Sequence, residues 1–92
     1  MSSRAYLRAC RTTVGSAEAK SLLLVLSESG PTSGFLSQGM VDRAAAMCEL
    51  SPLAERLAMR RLRERGLLQP VSPYELRGPG CDWRLPLAGG ES

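Results

Sequence analysis

Serine starts and glycine stops divide this chain so closely that it can form only short helices followed by a hairpin. The sharpest case is Ser51, followed by Pro52, with Gly66 downstream. A serine hydroxyl accepts an orphan N–H of the first turn, and a proline in that turn loses an N–H that would be unpaired anyway. Glycine takes the left-handed backbone that ends a helix. A helix is therefore predicted from Pro52 to about Arg65. Ser16 likewise starts a helix that Gly30 and Pro31 stop, with Ala19, Leu22, Leu23 and Leu26 as its apolar stripe. Ser37 caps a third, placed at Gln38 to Cys48, whose stripe is Val41, Ala44, Ala45 and Cys48. Its alanines allow close approach of a neighbouring helix.

Beyond Gly66 the pattern changes. Leu67, Leu68 and Val71 suggest a strand that Pro70 restricts to a sheet edge. Ser72-Pro73 and Gly78-Pro79-Gly80 are turn material, and Trp83, Leu85 and Leu87 alternate with Arg84 and Pro86 as a second strand. Trp83 is read as core for that hairpin. Phe35 and Leu36 form a short extended piece. Residues 1–15 read as a basic arm, residues 16–88 as the folded domain and 89–92 as a tail. In the arm, Tyr6, Leu7, Cys10 and Val14 make one helical stripe, a candidate dimer element, while Arg4, Arg8 and Arg11 fall on another face. The open readings of this arm are a partly ordered tail, a DNA-contacting or dimerising arm, and a transit peptide.

At 92 residues there is room for one domain. The net charge of +3 is unevenly spread. Residues 1–15 carry +3 and residues 51–68 carry another +3, on a remainder that is net acidic. Such asymmetry points to an anionic partner. There is no histidine, so the commonest general base and metal ligand are missing. Cys10, Cys48 and Cys81 lack CxxC spacing and read as buried or half-buried thiols in a reducing compartment. No phosphate loop, nucleophile elbow or paired catalytic carboxylates occur. A non-enzyme with no metal and no cofactor is expected. The longest aliphatic run, Leu22 to Leu26, is too short to span a bilayer, so a cytoplasmic protein without a membrane partner is expected.

The segment from Ser51 to Leu68 resembles the third helix of winged helix-turn-helix regulators of the GntR-like and MarR-like kinds. Arg61-Leu62-Arg63-Glu64-Arg65-Gly66-Leu67-Leu68 fits the basic-Leu-charged-Gly-Leu run that closes that helix. Ala44-Ala45 and Leu50-Ser51 fit the preceding helix and turn. The resemblance covers residues 17–87. It implies an α+β winged helix, with three helices, a two-stranded hairpin wing and an N-terminal extension. It further implies a small transcriptional regulator, a homodimer on double-stranded DNA, with the third helix in the major groove. The DNA-binding residues implied are Ser51 at the helix start, Arg56, Arg60, Arg61 and Arg63 on phosphates or guanines, and Arg77 at the wing tip.

Four residues depart from that pattern. Glu49 stands where the turn usually has glycine, and Glu55 falls on the core-facing side where an aliphatic is usual. If Ala58, Met59 and Leu62 face the core, Leu53 and Leu57 lie roughly opposite, at about 100° per residue. Either the helix rotates to bury them, or they form an apolar patch for a protein partner, or they contact DNA. The second option makes the chain a winged-helix protein-interaction module.

Overall fold

In a computed structural model that describes residues 3–30, 34–71 and 82–86, each serine expected to start a helix does so. The Oγ of Ser16, Ser37 and Ser51 accepts the backbone N–H of Ala19 (3.2 Å), Met40 (3.1 Å) and Ala54 (3.1 Å). The elements in order are α1 (Ser3–Arg11), α2 (Ala17–Ser29), β1 (Phe35–Leu36), α3 (Gln38–Met47), α4 (Pro52–Glu64), β2 (Gln69–Pro70) and β3 (Trp83–Arg84). The class is α+β, with four helices and one small antiparallel sheet among the described residues.

The two glycine stops work differently. Gly66, at φ +71°, follows α4 in the left-handed conformation expected of it. Gly30 ends α2 in an extended conformation (φ −76°), so its lack of a side chain serves another purpose. A Cβ there would stand 2.5 Å from the carbonyl oxygen of Leu26. The turn between α3 and α4 has no glycine, and Glu49 adopts φ +59° in its place.

The core is a single cluster centred on α2. Leu22, Leu23 and Leu26 meet Val41, Ala44 and Ala45 of α3 and Ala58 and Leu62 of α4. Each fully buried leucine is worth roughly 1.5–3 kcal/mol relative to exposure. Leu36, Leu68 and Leu85 close the cluster from the sheet. Ala9 and Val14 join the same cluster, which ties the basic N-terminal segment to the body. The dimer stripe expected along that segment is therefore split. Val14 is buried, Tyr6 is half-buried, and Leu7 and Cys10 are exposed.

The two strands expected after α4 belong to a three-stranded sheet, ordered β1-β3-β2. Leu36 is fully buried, so the backbone beside it is drawn in and needs partners for its polar groups. It finds them on β3, with Phe35 opposite Arg84 and Leu36 opposite Trp83. The Asp82 N–H donates to the Leu36 carbonyl (2.8 Å) and the Leu85 N–H to that of Gly34 (2.7 Å). β2 pairs with the other side of β3, Pro70 opposite Trp83, and lies at the sheet edge as the proline required.

Candidate nucleic-acid interface

The site is built on α4. Ser51 and Pro52 fix where it starts, and Ala58 and Leu62 clamp one side of it to the core. Successive residues turn by about 100°, so that clamp decides what faces outward. Arg56, Arg60 and Arg63 fall on the exposed side. Arg61 is exposed on one flank, beside Ser16 and Glu18 of the α2 start, where the three line a groove of about 420 Å³ with Arg60 and Glu64. Ser51 is exposed, its hydroxyl engaged by the N–H of Ala54. Arg77 lies outside the described residues.

The arginines are lightly held. Arg60 Nε is 3.9 Å from Glu64 Oε2, with both side chains well exposed, an i,i+4 pair of small energetic value. The Arg63 guanidinium lies over the ring of Trp83, 5.6 Å from its centroid. That cation–π contact joins the helix to the central strand of the sheet.

The rotation that would bury Leu53 and Leu57 does not occur. They are 63% and 53% exposed. The reason is geometric: Ala58 and Leu62 already fill the contact with the core, and no rigid helix can turn both sets inward. The leucines stand on the N-terminal half of α4, next to Arg56 and Arg60.

Glu55 does fall toward the interior, half-buried on the flank facing α3. Its carboxyl hydrogen-bonds Asp42, and Gln38 Nε2 donates to Asp42 Oδ1 (2.9 Å). Trp83 Nε1 donates in turn to Gln38 Oε1 (2.8 Å). Burial, then the hydrogen bond and negative charge of Asp42, push the Glu55 pKa up to about 7. The hydrogen bonds from Glu55 and Gln38 hold Asp42 below its ordinary value. Below about pH 7 the pair therefore shares one proton, carried by Glu55. This network lines a second groove, of about 610 Å³, with Arg56, Arg60 and Arg63 along its rim.

Sequence reasoning placed Glu55 on this flank but did not find Gln38, Asp42 and Asp82. The i,i+4 spacing of Gln38 and Asp42 was a usable signal. Asp82 gave none, because it reaches α3 across the sheet, accepting the Gln38 backbone N–H on Oδ2 (2.9 Å). Trp83 packs against the core as expected but is only half-buried, since its indole N–H and ring face serve Gln38 and Arg63. Cys48 is half-buried, with burial raising its thiol pKa, whereas Cys10 is exposed, against expectation. Cys10 follows the buried Ala9 by about 100° of turn and so points outward. Cys81 lies outside the described residues.

Among the described residues, no helix is long and apolar enough to cross a membrane, and no group of three His, Cys, Asp or Glu could hold a metal ion. No family model, no curated protein and no solved structure matches the chain.

Proposed function

We propose that this chain is a small winged-helix DNA-binding protein, a transcriptional regulator that binds duplex DNA as a homodimer. In this reading α4 enters the major groove. Arg56, Arg60, Arg61 and Arg63 contact phosphates or guanine edges, and Arg77 reaches the backbone from the segment between β2 and β3. The observation that carries the reading is the exposed row of Arg56, Arg60 and Arg63 on a helix whose opposite side is locked to α2. Helix order and the antiparallel pairing of β2 with β3 after α4 are compatible with it.

Selection from a random duplex pool, followed by anisotropy titration on the enriched sequence, tests this. An enriched motif is expected, with a log-affinity against log-salt slope of about −3.6 if four phosphates are neutralised. Weak binding with no sequence preference, even at low salt, would overturn it.

A specific observation favours a second reading, a winged-helix module for a protein partner. Leu53 and Leu57 are exposed on the very helix that would read bases. Two leucines exposed on one helix face are the kind of apolar patch that a protein partner covers. In that case Leu53→Ser with Leu57→Ser abolishes self-association or partner capture, while Arg56→Ala and Arg60→Ala leave it intact.

A further inference from the structure

We infer that Leu53 and Leu57 are specificity-determining residues that recognise the C5-methyl groups of thymines in the DNA major groove. The inference rests on the DNA-binding reading above and names what the helix selects.

The starting point is a division of labour along α4. Its N-terminal half carries Pro52, Leu53, Ala54 and Leu57, with Arg56 as the one cation and Glu55 turned aside to Asp42. Arg60, Arg61 and Arg63 fall in the C-terminal half. When a recognition helix enters the major groove, the N-terminal residues meet base edges and charged residues elsewhere meet phosphates. The half that meets bases is therefore mostly apolar. It holds no Asn or Gln to form a bidentate pair with adenine. Its one hydroxyl, on Ser51, already accepts the N–H of Ala54.

The major groove offers one apolar feature to such a surface, the thymine methyl. Leu53 and Leu57 stand on the same side of the helix, about 6 Å apart along its axis at 1.5 Å per residue. That is close to two base steps of about 3.4 Å. The arginines beside them favour an anionic occupant. At about 100° per residue, Arg56 and Arg60 flank the pair on one side and Arg61 on the other, with Glu64 on the same face 3.9 Å from Arg60 in a long, solvated contact. A partner that covers the leucines must also present dense negative charge next to small apolar groups. Duplex DNA does both in a groove wide enough for a helix.

The test uses the full chain and the duplex enriched from a random pool. Each thymine is replaced in turn by deoxyuridine, which removes the methyl and keeps every hydrogen-bonding group. Affinity is expected to fall about fourfold at each of two positions, the fold-change equivalent to withdrawing one methyl-sized group from contact. Leu53→Ala and Leu57→Ala should each erase the uracil effect at one of them, the signature of direct coupling. Both leucines are exposed, so unchanged thermal midpoints will show that the variants fold. Uracil duplexes bound as tightly as thymine duplexes would overturn the inference and leave DNA binding standing. Failure to enrich any duplex would overturn both. Loss of self-association in the leucine variants, with DNA affinity unchanged, would assign the pair to a protein contact instead.

Discussion

The ammonium of Lys20 lies 3.0 Å from the carbonyl oxygen of Cys10 and also donates to that of Thr12. The last carbonyls of α1 lack intrahelical partners and carry the negative end of the helix dipole. The chain's single lysine, placed on α2, supplies the missing donors and pins α1 beside it. Lys20→Met keeps the aliphatic stem and removes the charge. It should cost about 1 kcal/mol in urea unfolding. Amide exchange should accelerate in α1 before it does in α2 or α4.

Ser27 gives the opposite sign. Its side chain is 1% exposed, and its Oγ has no hydrogen-bond partner among the described residues. A buried hydroxyl without a partner carries an uncompensated desolvation cost. Ser27→Ala also raises helix propensity. Stabilisation of about 1 kcal/mol is expected, read as a higher denaturant midpoint with an unchanged m-value.

Glu49 holds left-handed backbone at φ +59°, where a side chain is disfavoured. Glycine at this position removes the strain. Glu49→Gly should raise stability by about 1 kcal/mol, less the entropy glycine loses on folding. A drop in thermal midpoint would show that the Glu49 side chain has a favourable role.

The Glu55–Asp42 pair makes stability depend on pH in a defined window. Glu55 is raised from 4.5 to about 7, so its favourable contribution is full below about pH 4.5 and is lost as pH rises toward 7. Asp42 is lowered, so its contribution is present above 3.8 and is lost as pH falls through its folded value. Together they favour the folded state most near pH 4–5. Glu55→Gln keeps a donor for Asp42 and removes the second charge. Denaturation curves at pH 5 and pH 7.5 should differ less in this variant than in the parent chain, and the variant should be the more stable at pH 7.5.

Helix starts were legible because a cap is a local event. Ser16, Ser37 and Ser51 each satisfy an N–H three residues away, within a window any reader of the chain can see. The outward row of Arg56, Arg60 and Arg63 was legible for the same reason, since one helix period fixes it. What escaped depended on contacts far apart in sequence. The third strand required Leu36 to meet Trp83, and the Gln38–Trp83 hydrogen bond spans 45 positions. The exposure of Leu53 and Leu57 lay between these cases. Periodicity placed them opposite Ala58 and Leu62, but only the packed core decided which side would win.

β2, one of the two outer strands of the sheet, has a consequence for how the protein keeps to itself at high concentration. β2 is two residues long, and one of them, Pro70, has no N–H to offer. An open sheet margin invites a strand from a neighbouring molecule, and a short, proline-bearing margin refuses it. The same proline that weakens the sheet thus guards it against fibril growth from that side. Two copies that associate do so elsewhere than by extending the sheet past β2.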